Sequence, residues 1–458
     1  MGVPARERGS FRDPSGFMFQ RDGIWYRQVN PSYQADYDRL MASGLYQELV
    51  TGGLLIPHQE VAPELAYTAE AYKVLQPEAL QFISYPYEWS FGQLKAAALA
   101  TLAAQKIAFE HGMTLKDASA YNIQFVDGRP VLIDTLSFEQ YREGSVWTAY
   151  RQFCQHFLAP LALMAYTDAR LGQLLRVYID GVPLDLAAKL LPVRSRLRLS
   201  LLMHIHLHAR SQEKHAGQPV KAAARPVSRQ SFLGLIDNLE MGIRKLSWDH
   251  PATAWANYYE DDSYTPQAFQ HKQTVVEALI KQAAPRSVWD LGANTGVFSR
   301  LASAAGIPTV AWDVDPGAVE LNYRQVVQRK ETCLLPLVLD LTNPSSALGW
   351  AHEERVSFAG RGPVDLVLAL ALIHHLVIGN NVPLAQAARF LASLGRWLVI
   401  EFVPKHDPKA QTLLAAREDI FDDYTESGFE AAFAQYFVVE RKQAVEESER
   451  VLYLMSVR

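Results

Sequence analysis

Ser287-Val288-Trp289-Asp290-Leu291 runs directly into Gly292-Ala293-Asn294-Thr295-Gly296, and Val297–Ala305 then continues with helical spacing. A short apolar run, a glycine turn and a helix let the backbone approach a charged ligand closely. Four more short apolar runs follow, three of them closed by an acid at the C-terminal end. Pro308–Trp312 ends at Asp313, before Val314-Asp315-Pro316 and a helical stretch. Leu334–Leu339 ends at Asp340-Leu341, Val364–Leu370 runs into Ala371-Leu372-Ile373-His374-His375-Leu376, and Arg396–Ile400 ends at Glu401. Phe437–Arg441 and Val451–Val457 read as a closing antiparallel hairpin. Strands alternating with helices predict an α/β domain with a mainly parallel sheet, over residues 258–458.

An acid about 20 residues past the first strand can take both ribose hydroxyls. A glycine loop alone occurs in many nucleotide folds; here an acid closes the first, second and third strands in order. This series resembles the motifs of class I S-adenosylmethionine-dependent methyltransferases, a Rossmann-like fold with a seven-stranded, mostly parallel sheet. The resemblance implies S-adenosyl-L-methionine as cofactor. It implies that Gly292, Ala293, Asn294 and Gly296 form the loop around its methionine part, and that Asp290 holds its amino group. It assigns the ribose to Asp313 and the adenine to Asp340 with Leu341. A nicotinamide-binding domain is the competing reading, but Asn294 stands where its G-x-G-x-x-G fingerprint puts the second glycine.

The fourth strand lacks the Asn/Asp-Pro-Pro-aromatic motif of base and amide methyltransferases. His374-His375 instead resembles the small-molecule branch, in which a histidine at this point can take a proton from a hydroxyl or acidic carbon. Adjacent residues face opposite ways, so one of His374 and His375 is expected in the site and the other beneath it. Glu401 is a second candidate base. Tyr258, Tyr259 and Tyr264 are candidates for a lid, or for surface aromatics at a domain junction.

A second pattern lies nearer the N-terminus. Lys116-Asp117-Ala118-Ser119-Ala120-Tyr121-Asn122 leads into Ile123–Val126, a turn at Asp127-Gly128, Pro130–Ile133 and Asp134. This resembles the catalytic loop of protein kinases and aminoglycoside phosphotransferases, where the first Asp orients a hydroxyl and the Asn and second Asp hold a metal. The resemblance implies a kinase-like α+β domain over residues 1–215, with Asp117, Asn122 and Asp134 as its site and Mg-ATP as a possible second cofactor. Ser119 stands where protein kinases have lysine, Asp134-Thr135-Leu136 lacks the usual partner residues, and no glycine-rich loop precedes residue 60. Arg27 and Lys73 are the candidates for the phosphate-pairing cation.

Composition sets limits. At 458 residues with 49% apolar and 20% charged side chains, two or three soluble domains are expected. A net charge of −5 offers no footprint for nucleic acid. Two cysteines, Cys154 and Cys333, exclude a disulfide framework and a thiolate metal cage, and no metal site is expected. His204, His206 and His208 lie in an apolar helical run that would splay them apart. Met1 to Asp13 has no apolar signal region and no run is long enough to span a bilayer, so a cytoplasmic protein is expected. Residues 216–257 read as a linker and connecting helix.

A kinase-like front with a methyltransferase back resembles the NoeA nodulation family, whose front half carries a similar L-K-D-A-S-x-Y-N segment. In reversed domain order it is also similar to kinase–methyltransferases that cap bacterial polysaccharides. The resemblance implies methyl transfer to a hydroxylated small molecule, a glycan or a biosynthetic intermediate, with the front half positioning substrate. A bifunctional kinase plus methyltransferase, and a kinase-like module that recruits a partner protein, are the alternatives.

Overall fold

The computed structural model describes residues 3–209, 226–248, 265–415 and 417–458. The chain divides into two units, Met1–Asp249 with Ala347–Arg355, and His250–Ser346 with Val356–Arg458.

The first unit opens on a five-stranded antiparallel sheet. Its strands are β1 (Ala5–Arg6), β2 (Gly16–Arg21), β3 (Ile24–Val29), β4 (His58–Val61) and β5 (Lys73–Pro77), in the order β1-β2-β3-β5-β4. Asp22 and Gly23 join β2 to β3 with φ of 51° and 80°, the left-handed pair that a two-residue hairpin requires. The stretch Tyr33–Thr51 carries helical spacing throughout yet forms two helices, Gln34–Ala42 and Leu45–Thr51. Gly44, at φ 82°, breaks it where helical bonding would need a negative angle.

The rest of the unit is built around the helix Phe91–Glu110, capped by Ser90 and Gln93, each side chain bonding the other's backbone N–H. Two small antiparallel pairs pack near it: β6 (Met113–Leu115) with β9 (Phe138–Gln140), and β7 (Ile123–Val126) with β8 (Arg129–Leu132).

The kinase-like domain is expected to end at residue 215; the first unit runs on to Asp249. The helix Arg229–Arg244 belongs to the first unit rather than to a connection, because its apolar stripe Phe232, Ile236, Leu239 and Ile243 is buried there. Phe232 stacks on Phe109 at 4.3 Å, and Lys106 pairs with Asp237 at 2.6 Å. Ala347–Arg355 likewise belongs to this unit. Residues 216–225 and 249–257 of the expected linker, and Tyr258, Tyr259 and Tyr264, lie outside the described residues.

The second unit is built on one sheet of seven strands. They are β10 (Val288–Leu291), β11 (Thr309–Asp313), β12 (Leu334–Val338), β13 (Val364–Ala369), β14 (Gly395–Phe402), β15 (Phe437–Ala444) and β16 (Val451–Val457). The order is β12-β11-β10-β13-β14-β16-β15, parallel except where β16 enters between β14 and β15. The strand reversal lies at β10, between β11 and β13, where open α/β sheets hold ligands at their carboxyl ends. Helices Pro266–Ala283, Pro316–Arg329 and Leu384–Leu394 bury apolar residues against the sheet, and Leu366, Leu368, Val399 and Leu454 are fully buried between them. Among the described residues no helix is long and apolar enough to cross a membrane.

Candidate functional site

The carboxyl end of β10 enters a loop with three left-handed residues, Gly292 at φ 78°, Asn294 at 51° and Gly296 at 80°. Asparagine tolerates that region, which is why Asn294 can stand at the second glycine position. A Cβ on Gly296 would lie 2.4 Å from Asn322 Nδ2, so the turn has no room for a side chain.

The loop's backbone donors are spent inside the protein. Gly292 and Ala293 donate to the Trp312 carbonyl at 2.9 and 2.8 Å, and Gly296 donates to Ala293. Asn294 N–H donates to Asp313 Oδ2 at 2.7 Å, and Thr295 N–H to Asn294 Oδ1 at 2.8 Å. The loop is therefore rigid, and it contributes shape rather than free N–H groups.

Three acids face the cleft beside it. Asp290 is 2% exposed and accepts a hydrogen bond from Ser299 Oγ at 2.6 Å; burial pushes its carboxyl up to about 7. Asp313, half-buried at the end of β11, is pushed up to about 6 by burial, against the pull of the Asp315 and Asn294 N–H groups. Asp340 is exposed just past β12 and accepts from Thr342 N–H and Oγ1.

These acids share a cleft of about 360 Å³ with Gly292, Ala293, Asn294 and Leu341. Gly296 shapes the turn without lining it. Of the adjacent histidines, His375 lines the cleft. His374 is 0% exposed, its ring is tilted against that of His375 with centroids 4.1 Å apart, and neither of its ring nitrogens has a partner among the described residues. Burial, then the positive charges of Arg450 and Lys409, lower His375 to about 4, so its ring is neutral near pH 7. Glu401 is fully buried and does not reach the cleft. Its Oε2 accepts from Lys272 Nζ and from Ala371 N–H, both at 2.7 Å. Ala371 sits at φ 49°, so Glu401 pins a strained residue at the start of the histidine segment.

Lys272 was not singled out by the sequence. It lies on Pro266–Ala283 in the stripe Ala268, Lys272, Val275, Val276, Leu279, where a lysine interrupts an otherwise apolar face. That interruption is the signal that could have found it.

In the first unit, Asp117, Asn122 and Asp134 line one polar cleft of about 250 Å³ with Arg12, His156 and Arg355. Asp134 Oδ1 is held by Arg27 Nη1 at 2.5 Å and by Leu136 N–H; its Oδ2 accepts from Ser137 Oγ. Burial, and then the charge of Asp134, raise the Asp117 carboxyl. Asn122 Nδ2 donates to Ser137 Oγ at 3.2 Å. Among the described residues no group of three His, Cys, Asp or Glu side chains is placed to hold a metal. Of the alternating histidines, His204 bonds Tyr150 and Asn238 and His206 bonds Ser195, so both serve packing.

No family model matches the chain. Among solved structures, magnesium protoporphyrin IX methyltransferase from Synechocystis PCC 6803 with bound SAH is 18% identical, over 44% of this chain and 93% of that one, at a TM-score of 0.31. The bifunctional kinase-methyltransferase WbdD is 16% identical, over 46% and 42%, at 0.30. At such scores the fold rests on its own strand order. Ribosomal protein L11 methyltransferase of Rhodopseudomonas palustris (strain BisB5) is 32% identical over 146 residues, 31% of this chain and 43% of that protein. Nodulation protein NoeA of Rhizobium meliloti (strain 1021) is 37% identical over 458 residues, 98% of this chain and 96% of that protein. With that identity sustained across both units, the chain belongs to the NoeA nodulation protein family.

Proposed function

We propose that the protein is an S-adenosylmethionine-dependent methyltransferase acting on a hydroxylated small molecule or glycan. The observation that carries this is the set of three acids, Asp290, Asp313 and Asp340, at the ends of three adjacent parallel strands around one cleft. The donor set fits the cofactor: a buried carboxylate for an ammonium, a second for ribose hydroxyls, and an exposed third for the adenine amine. A relative named for methyl transfer to a ribosomal protein supports the same chemistry.

When bound, the cofactor supplies an electrophilic methyl group. The chain's part is to place an acceptor oxygen beside it and take its proton. His375 is the group for the second task, being neutral and at the cleft wall. Glu401 positions it, through the Ala371 N–H, rather than acting as the base. His374 packs beneath.

The first unit resembles a kinase fold in its antiparallel sheet and its Asp117–Asn122–Asp134 series, and we assign it to acceptor binding rather than phosphoryl transfer. Arg27 occupies the carboxylate that a magnesium ion would need. The test is transfer of a deuterated methyl group from S-adenosylmethionine to a metabolite pool, read by mass shift, with Asp313→Ala as control. No transfer and no calorimetric binding of S-adenosylhomocysteine would sink the methyltransferase reading. A magnesium-dependent thermal shift with ATP that vanishes in Asp134→Ala would restore the bifunctional one.

A further inference from the structure

The cofactor's methionine part is an α-amino acid, so a site for it must meet an ammonium and a carboxylate on one carbon. Asp290 answers the first. The second needs a cation or free N–H groups, and the loop offers none: the N–H groups of Gly292, Ala293, Asn294, Thr295 and Gly296 already donate inside the protein. The helix after the loop, Ser299–Ser303, is too short to supply a dipole of consequence.

Lys272 is the one Lys or Arg among the described residues that line the cleft. It is 2% exposed, its ammonium bonds Glu401 at 2.7 Å and lies over the Phe298 ring at 4.8 Å. A buried ion pair kept for stability alone gains little over an apolar pair of the same size. Burial pulls the lysine's pKa down while Glu401, and more weakly Asp290, oppose it, which puts Lys272 and Asp290 within reach of each other's charge.

Building on the cofactor reading, we propose that Lys272 anchors the carboxylate of the bound methionine part, with Asp290 taking its ammonium. Glu401 then has two functions: it holds Lys272 in place and, by the same oxygen, fixes Ala371 ahead of His375.

Calorimetry on the full chain tests this with two ligands, S-adenosylhomocysteine and its decarboxylated analogue, which keeps the amine. Lys272→Met is expected to weaken S-adenosylhomocysteine roughly 10- to 100-fold and to leave the analogue within about twofold. Because that variant strands Glu401, Lys272→Met/Glu401→Gln is measured beside it, with melting curves; the double variant is expected to fold and to show the same selective loss. A folded variant that binds S-adenosylhomocysteine like the wild type overturns the assignment, as does an equal loss for both ligands, which marks a distorted cleft. Wild-type protein that binds neither ligand overturns the cofactor reading and the lysine's role with it. Wild type that binds both, with no selective loss in the variants, overturns the lysine's role alone.

Discussion

Asp290→Asn should make the second unit more stable, by an amount that grows with pH. The carboxyl is 2% exposed and sits near 7 when folded, against about 3.9 in an unfolded chain. A raised acid binds its proton more tightly in the folded state, so stability falls as pH rises from the unfolded value to the folded one. The loss is absent below about pH 4 and complete above about pH 7. Three units at about 1.4 kcal/mol each give roughly 4 kcal/mol at pH 8, and about 1.5 kcal/mol at pH 5. Asparagine keeps an acceptor for Ser299 Oγ and carries no charge to desolvate. The stability gap between variant and wild type should therefore widen by about 2.5 kcal/mol from pH 5 to pH 8. Urea titration with mass-resolved hydrogen exchange over the peptide 287–313 reads this within the full chain. The same substitution should weaken S-adenosylhomocysteine, since the charge that destabilises the empty protein is the one that meets the ligand's ammonium. A gap that stays constant with pH, or narrows, refutes the reasoning: the carboxyl would then be solvated or paired in a way its burial denies.

Gly296→Ala puts a Cβ 2.4 Å from Asn322 Nδ2 at a φ of 80°, and should lower stability by about 2–3 kcal/mol and abolish S-adenosylhomocysteine binding, by melting curve and calorimetry. His375→Ala should slow methyl transfer by about 10²-fold or more with cofactor affinity nearly unchanged, while His374→Phe should keep turnover and gain about 1 kcal/mol by removing unpartnered polar atoms. Since His375 stays neutral down to about pH 4, kcat in the wild type should show no acid limb near pH 6.5. Arg27→Met should destabilise the first unit by about 3 kcal/mol by leaving Asp134 unpaired, and adding Asp134→Asn should recover most of the loss in urea titrations.

The acids at the strand ends were legible because each is a polar residue closing an apolar run, and such runs are read directly from order and spacing. Within the histidine pair the expectation of one facing in and one beneath was open as to which, because a turn and not a strand carries them. Glu401 looked like a base because it ends a strand. Its partners lie elsewhere in sequence, Lys272 and Ala371, and no local pattern announces a long-range ion pair. Lys272 itself was hidden by averaging: one charge in an apolar stripe reads as noise unless the stripe is known to be buried. The helix Arg229–Arg244 reads as a connection because the stretch before it is Ala-, Pro- and Gln-rich, although Phe232, Ile236, Leu239 and Ile243 mark an apolar face. Gly44 ended a helix that periodicity alone would have continued.

The segment Ala347–Arg355 leaves the second unit's run of sequence to join the first, where the Glu354 carboxylate takes the Arg12 guanidinium by two bonds, of 2.6 and 2.8 Å. A tandem fusion can be cut between its parts and each part moved to another gene. This chain is stitched: a cut after residue 249 strips the front piece of the acid that Arg12 holds, and sends a carboxylate made for burial into the back piece without its cation. A cut at the apparent boundary therefore costs the first unit this ion pair.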